Sequence, residues 1–471
     1  MQTNILNSDT ICAIATPHGM GAIATVRVSG TKAFPIVAAL FQHRGKFLEI
    51  SEIVSHKAYH GHLINKGELL DEVLVTFFKA PHSFTGEDSA EISVHGSVFV
   101  QQKLLQVLIA NGCRMAEAGE FTRRAFVNGK FDLAQAEAIA DLINSESEAA
   151  HRVAINQLRG GFSKELQVLR SKLLEMTSLM ELELDFSEED VEFADRSQLK
   201  ALLQEALDKV NRLKDSFRLG NAIKNGVPVA IVGQTNTGKS TLLNALLGED
   251  RAIVSDIAGT TRDTIEETLN INGILYRFID TAGLRETDET IEKIGIERSY
   301  RKIAEATMVI GMLDATKDAE NVLLAAHEIL KRIDLEHQQL ILCINKVDTL
   351  DDQGEALLGQ LRADLDNDEI MVICLSAKHK FGLNDLYNTL KHSQPLSYPD
   401  ATLVTNVRHY EALLHASDSL GQVQQGLEMN IPTDLVSQDL REAIHYLGTI
   451  TGEITTDEVL GSIFSRFCIG K

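Results

Sequence analysis

The stretch Val227-Pro-Val-Ala-Ile-Val-Gly-Gln-Thr-Asn-Thr-Gly-Lys-Ser-Thr-Leu-Leu-Asn-Ala-Leu-Leu247 decides the fold. Val229–Val232 reads as a buried strand and Thr241–Leu247 as a helix. Between them, Gly233-Gln-Thr-Asn-Thr-Gly238-Lys239-Ser240 has the spacing of a phosphate-binding loop, in the strand-to-helix setting such a loop needs. Gly233 and Gly238 let backbone N–H groups turn toward phosphate oxygens. Lys239 brings charge to the β- and γ-phosphates, the Ser240 hydroxyl suits Mg²⁺, and the helix N-terminus adds the positive end of its dipole. Asn236, Thr237 and Thr241 fall within the same cradle. The bland alternative is a chance glycine turn ahead of a helix.

Working outward, apolar strands recur at Val227–Val232, Tyr276–Ile279, Met308–Leu313, Leu340–Ile344 and Ile370–Leu375, with helical patterns between them. That alternation predicts a doubly wound α/β sheet with its site at the strand C-termini. Polar motifs stand at those ends. In Asp280-Thr281-Ala282-Gly283, Asp280 suits Mg²⁺ through water and the Gly283 N–H suits the γ-phosphate. In Asn345-Lys346-Val347-Asp348, the Asp348 carboxylate can accept hydrogen bonds from guanine N1–H and the 2-amino group; adenine offers neither donor. Backbone amides of Ser376-Ala377-Lys378 can reach guanine O6. Gly259-Thr260-Thr261 lies between helix and strand and supplies Thr261 as a second Mg²⁺ oxygen. Guanine nucleotide with Mg²⁺ is the implied ligand. Many GTPases place a glutamine after the Asp–x–x–Gly turn to orient water; Leu284 stands there, so hydrolysis needs another group.

At 471 residues the chain has room for about three domains. Its 44% hydrophobic and 24% charged residues are ordinary for a globular protein, and a net charge of −22 argues against coating nucleic acid through a broad basic surface. No run approaches the ~20 apolar residues of a membrane helix, and Met1–Asn4 offers no basic lead-in to an apolar core, so neither a span nor a signal peptide is expected. Cys12, Cys113, Cys343, Cys374 and Cys468 are scattered and odd in number, which gives no disulfide framework or metal-ligand spacing and makes a reducing, cytoplasmic setting the expectation. Cys343 and Cys374 read as core fillers within strands.

Strand patterns at Ile23–Val28, Glu72–Phe78 and Ala90–Val94, with a helix at Ser97–Ala110, predict an α+β domain over residues 1–125. From Leu133 the period turns helical (Leu133, Ala136, Ile139, Ala140, Ile143) and stays so to about Leu219. It returns after Ser393 through Tyr410–Leu427, Leu435–Tyr446 and Asp457–Phe467. The expected organisation is a helical domain in two segments, 126–223 and 394–471, with a Ras-like P-loop G domain, 224–393, inserted between them.

Further motifs extend the pattern: Asp256-Ile257-Ala258-Gly-Thr-Thr-Arg-Asp263, Asp280-Thr-Ala-Gly-Leu-Arg-Glu286, Ile294-Gly-Ile-Glu-Arg298, Phe84-Thr-Gly-Glu-Asp88, Leu133-Ala-Gln-Ala-Glu-Ala-Ile-Ala-Asp-Leu142, and the terminus Phe467-Cys-Ile-Gly-Lys471. With them the chain resembles, nearly end to end, the MnmE (TrmE) family of tRNA-modification GTPases. The resemblance implies a K⁺-activated, Mg²⁺-dependent GTPase. Asn236 would ligate K⁺, with the carbonyls of Ser255 and Ile257 and with Thr260; Glu292 would position the attacking water; and two G domains would pair across their nucleotides. It also implies a homodimer whose N-terminal domain binds 5-formyl- or 5,10-methylene-tetrahydrofolate through Arg27, Glu91 and Lys130, with Lys471 at the terminus and Cys468 in the modification step. An FAD-dependent partner, MnmG (GidA), would join in a heterotetramer or larger complex to place an aminomethyl or carboxymethylaminomethyl group at C5 of the wobble uridine of certain tRNAs. The chain departs from the family at Gln234-Thr235, where a basic residue and proline are common, and at Thr237, a usual alanine.

Read without the resemblance, Asn236 is also a turn residue with a solvated amide, Glu292 a solvated helix charge, and Arg27, Glu91 and Lys130 surface salt-bridge partners. The cluster Arg123, Arg124 and Lys130 is either a solvated loop or a contact for tRNA phosphates. The competing function is a GTP-dependent RNA-binding assembly or signalling switch that does no RNA chemistry. The N-terminal domain and the Cys-Ile-Gly-Lys end are what such a switch does not need.

Overall fold

The computed structural model describes residues 9–185, 196–249, 267–271, 273–279, 306–336, 338–349, 353–365, 370–392, 402–429 and 431–470. The chain packs as two compact units. One holds the residues up to Ile143, Ile155–Val210 and those from Glu411 on; the other holds Asn144–Ala154 and Asn211–Tyr410.

In the first unit the α+β expectation is borne out. Its strands are β1 (Thr10–Ile14), β2 (Ile23–Ser29), β3 (Phe41–His43), β4 (Lys46–Phe47), β5 (Ala58–Asn65), β6 (Glu68–Phe78), β7 (Ser89–His95) and β8 (Cys113–Met115). They form one sheet in the order β4-β3-β5-β6-β7-β2-β1-β8, with β8 parallel to β1. Alternation along β2 puts Ala24, Val26 and Val28 into a core with Val73, Val75 and Phe77 of β6 and Ala90, Ile92 and Val94 of β7. Helices α1 (Ala33–Leu40) and α2 (Val98–Ala110) close that core with Val37, Leu104 and Leu108. A smaller cluster joins Ile11 and Ala13 of β1 to Phe121 of α3 (Glu120–Val127). Helix α4 (Leu133–Ile143) follows, then α5 (Glu148–Leu158), α6 (Gly161–Asp185) and α7 (Arg196–Asp215). On α6 the buried residues Phe162, Leu166, Leu169, Leu173, Met176 and Met180 step by four and three, the seam of a bundled helix.

In the second unit, α8 (Phe217–Asn225) leads into the expected doubly wound sheet. Strands β9 (Val227–Gly233), β11 (Ile274–Phe278), β12 (Met308–Asp314), β13 (Gln339–Asn345) and β14 (Met371–Leu375) match the apolar runs. The order is β10-β11-β9-β12-β13-β14, with β10 (Glu267–Ile271) an antiparallel edge. The strands are continuously apolar because both faces are covered. One face packs Val229, Ile231 and Tyr276 against Leu242 and Leu246 of α9 (Lys239–Glu249). The other packs Val309 and Leu342 against α10 (Ala319–Leu330) and α11 (Gln353–Leu365). Helix α12 (Leu383–His392) follows β14. The turn between β10 and β11 reaches α5: the Ala149 amide donates to the Gly273 carbonyl at 3.3 Å, satisfying one of that helix's unpaired N–H groups. The remaining helices, which from Glu411 on belong to the first unit, are α13 (Val407–Glu428), α14 (Thr433–Thr451) and α15 (Asp457–Phe464).

Arg124 corrects both sequence readings of the basic cluster. It is 1% exposed on α3, and its guanidinium binds Asp9 at 3.1 Å, Glu87 at 3.2 Å and Glu120 at 3.0 Å. Arg114 also binds Asp9 and Glu120, at 2.6 and 2.7 Å. This charge is neither solvated nor turned to an RNA phosphate; it ties β1, the Glu87 turn and α3 together. Burial opposes the charged form of Glu120, but bonds from Arg114, the Glu117 amide and Arg124 overcome it and hold the carboxyl below its ordinary value. Arg124→Met takes one cation from the buried Glu120 and the half-buried Asp9 and Glu87, while Arg114 stays bound to Asp9 and Glu120. It is expected to cost about 1–3 kcal/mol, read by hydrogen exchange as lost protection in β1 and α3 with the β9–β14 sheet unchanged. In the wild type, the stabilisation linked to Glu120 is full above the ordinary glutamate range and is lost as pH falls through its lower folded value, so the same amides should lose protection on acidification.

Candidate nucleotide site and a second polar cluster

Strand β9 ends at Gly233 and α9 starts at Lys239, so the phosphate loop occupies the turn between them. Gly233 has φ +152° and Gly238 φ +96°. A Cβ at Gly233 would lie 2.5 Å from the Met312 carbonyl, and one at Gly238 would lie 2.2 Å from Asn345 Nδ2. Both positions require glycine for conformation and for room. Asn236 sits exposed between them at φ +61°, a left-handed conformation that asparagine tolerates better than most residues. Thr237 is buried and its hydroxyl donates to the Gln234 carbonyl at 2.9 Å. The Lys239 ammonium donates to the carbonyls of Gly233 at 2.9 Å and Gln234 at 2.8 Å, and burial pushes its pKa down. Ser240 and Thr241 occupy the first turn of α9.

Asn345, 3% exposed at the end of β13, joins the loops. Its Nδ2 donates to the Thr237 carbonyl at 2.7 Å, and its Oδ1 accepts from the Ala377 amide at 3.0 Å. Lys346 follows at φ +68° and reaches Asp314 at 2.7 Å. Burial would raise the Asp314 pKa, but bonds from Lys346 and Thr316 hold it below its ordinary value. Val347 and Asp348 lie in a short 3₁₀ turn, Val347–Thr349. The Ser376 hydroxyl, with nearby His379 and Lys378 charge, holds the Asp348 carboxyl below its ordinary value. Ser376 and Ala377 are buried and Lys378 is exposed.

The structure therefore brings together Asn236 to Thr241, Asn345 to Asp348 and Ser376 to Lys378 at the C-terminal ends of β9, β13 and β14. Ser255, Asp256, Ile257, Ala258, Gly259, Thr260, Thr261, Asp280, Thr281, Ala282, Gly283, Glu292 and Lys471 lie outside the described residues. Asp314 and His379 are missed by motif reading. Asp314 carries a legible signal, an acid at the C-terminal end of a central strand.

In the first unit, Arg27 on β2 faces Glu91 on β7 in register, and they bond at 2.8 and 3.0 Å. The Arg27 guanidinium lies 4.8 Å from the Phe84 ring centre and 5.6 Å from that of Phe121. Lys130 is exposed and donates to the Pro81 carbonyl at 3.0 Å. The C-terminal tail runs beside the same domain. The Cys468 carbonyl accepts from the Gly119 amide at 3.4 Å, Ile469 bridges Ala118, and a Cβ on Gly470 would strike the Ile14 carbonyl. The Cys468 side chain is exposed. Cys343 is buried, and burial pushes its thiol up to about 12; Cys374 is only half-buried. Among the described residues no group of three or more His, Cys, Asp or Glu is arranged to hold a metal ion.

A phosphate loop on the first parallel strand, tied to an Asn-Lys-x-Asp turn and a Ser-Ala-Lys loop, defines a P-loop domain of the GTPase class. Two family models match the chain: "MnmE helical domain" over residues 133–468 and "GTP-binding protein TrmE N-terminus" over 10–130. The tRNA modification GTPase MnmE of Bacteroides fragilis is 53% identical over 468 residues, covering 99% of this chain and 100% of that protein. Its counterpart in Flavobacterium johnsoniae is 50% identical over 477 residues, with 99% and 100% covered. Among solved structures, Era in complex with MgGDPNP and a 16S ribosomal RNA segment matches 41% of this chain and 66% of its own at 28% identity, TM-score 0.28. The chain belongs to the MnmE family of tRNA modification GTPases.

Asn345→Ala removes both ties and leaves the Thr237 carbonyl and the Ala377 amide buried without a partner. At about 1–3 kcal/mol per unsatisfied group, hydrogen exchange should show weakened protection around the phosphate loop and β14, and GDP affinity should fall at least roughly tenfold. Unchanged affinity would remove Asn345 from the site's framework.

Proposed function

We propose that this chain hydrolyses GTP in a K⁺-activated, Mg²⁺-dependent reaction, and that the cycle gates folate-dependent modification at C5 of the wobble uridine of certain tRNAs, together with an FAD-dependent partner, MnmG. The observation that carries the nucleotide half is the Asn345 carboxamide, which holds the phosphate loop and the base-contacting loop in one framework. Lys239 and the N–H groups of the loop and of the first turn of α9 bind the phosphates. Asp348 accepts the two guanine donors. Mg²⁺ would be held by Ser240 and Thr261, with Asp280 through water, and K⁺ by Asn236 with Ser255, Ile257 and Thr260. Such cations supply charge neutralisation at the β- and γ-phosphates, in a site where Leu284 replaces a water-orienting glutamine. The exposed, left-handed Asn236 suits a side-chain ligand role. Glu292 would orient the attacking water.

For the folate half, support comes from a planar guanidinium stacked near two aromatic rings and paired to a carboxylate, beside a docked tail that carries an exposed thiol. Folate would bind Arg27, Glu91 and Lys130, with its glutamyl carboxylates drawn to the basic groups. The four-part division at residues 125, 223 and 393, the homodimer and the cytoplasmic setting belong to the same proposal. No helix among the described residues is long and apolar enough to cross a membrane.

GTP turnover by the full chain should be at least about tenfold faster in KCl than in NaCl, since each factor of ten needs only ~1.4 kcal/mol of transition-state stabilisation. Asn236→Ala should erase the difference. Equal rates in both salts would refute K⁺ activation. For the second half, 5-formyl-tetrahydrofolate should bind in a calorimeter and bind measurably more weakly to Arg27→Ala. Absent binding would favour a GTP-dependent switch without RNA chemistry.

A further inference from the structure

We propose that His379 tunes guanine recognition by competing, when protonated, for the Asp348 carboxylate. This rests on Asp348 being the guanine acceptor.

The loop that carries His379 is closed by backbone bonds in both directions. Ser376 N donates to the Phe381 carbonyl at 2.9 Å, and Phe381 N donates to the Ser376 carbonyl at 3.2 Å. The His379 amide donates to Ser376 Oγ at 3.3 Å. Gly382 makes the closure possible: it has φ +73°, and a Cβ there would lie 2.2 Å from the Cys374 carbonyl. In that loop His379 Nε2 lies 3.5 Å from Asp348 Oδ2.

That geometry bears on the base. Guanine presents two parallel donors, and a carboxylate meets them with both oxygens. An imidazolium at Oδ2 draws on the same oxygen. The two side chains are 57% and 30% exposed, so the ring is open to solvent. Two lysines face the pair as well. Lys378, on the His379 loop, lies near Asp348, and Lys346 is held by Asp314 at 2.7 Å. The Asp348 carboxyl is held below its ordinary value by the Ser376 hydroxyl and its neighbours. Histidine is the one side chain among them that ordinarily changes charge between pH 5 and 8. Linkage then makes the competition reciprocal: the base displaces the proton, and the proton weakens the base.

The test is equilibrium binding of a fluorescent GDP analogue to the full chain between pH 5.5 and 8.5, comparing the wild type with His379→Asn, His379→Gln and His379→Lys. The wild type should bind roughly three- to tenfold more weakly at the acidic end than at pH 8.5, a change of up to one decade in Kd. The Asn and Gln variants should lose that extra slope and keep the affinity seen at pH 8.5. The Lys variant, with a fixed charge, should bind weakly throughout. Titration of the diphosphate itself is common to all four proteins and cancels in the comparison. An Asn or Gln variant with the full wild-type slope overturns the proposal. If a fluorescent ADP analogue bound as well as GDP at pH 8.5, the assignment of Asp348 would fail instead.

Discussion

One buried carboxamide holds the nucleotide site together. Asn345 gives its N–H to the phosphate loop and takes an N–H from the base-side loop, so segments more than a hundred residues apart share one side chain. The arrangement works only because Gly238 lets the loop backbone pass where a Cβ would stand 2.2 Å from that amide. Both ends of the bond are buried, and losing either leaves a polar group stranded away from water. Two loops that would otherwise fluctuate separately are thereby fixed at the distance a nucleotide demands, and binding need not supply that ordering.

The first unit is organised by an analogous device in charge rather than amide. Arg124 is too deeply buried to be tolerated alone, and Asp9, Glu87 and Glu120 surround it. The Glu87 turn belongs to the same Phe-Thr-Gly-Glu-Asp stretch whose Phe84 ring faces Arg27. The network thus sets the position of the aromatic group beside the Arg27–Glu91 pair. The tail that carries Cys468 is pinned to neighbouring backbone at Gly119 and Ala118, one step from Glu120.

Much of this was legible in the sequence, for reasons that are local. The parallel strands are uniformly apolar because helices cover both faces, and the loop motifs stand at their ends because that is where such a sheet leaves backbone groups free. Edge strand β10 is harder to see: Glu267–Ile271 is short and only partly apolar, although Asn272-Gly273 is the turn signal that would have marked the hairpin. The sequence does not reveal the burial of Arg124 because burial is a tertiary property; Glu120 is a local i,i+4 partner, but Asp9 and Glu87 come from far along the chain. The Arg27–Glu91 pair arises from cross-strand register between β2 and β7, which spacing along the chain does not encode. His379 is hidden from the sequence for a similar reason, since its relation to Asp348 arises only when two loops meet.

The central claim is that this framework selects a guanine base through Asp348 while the phosphate loop holds the phosphates. Calorimetric titration of the purified full chain with GDP and, separately, with ADP tests it most directly. Saturable heat with GDP and none with ADP at matched concentration is the expected result; equal binding of the two, or no heat from GDP, would contradict it.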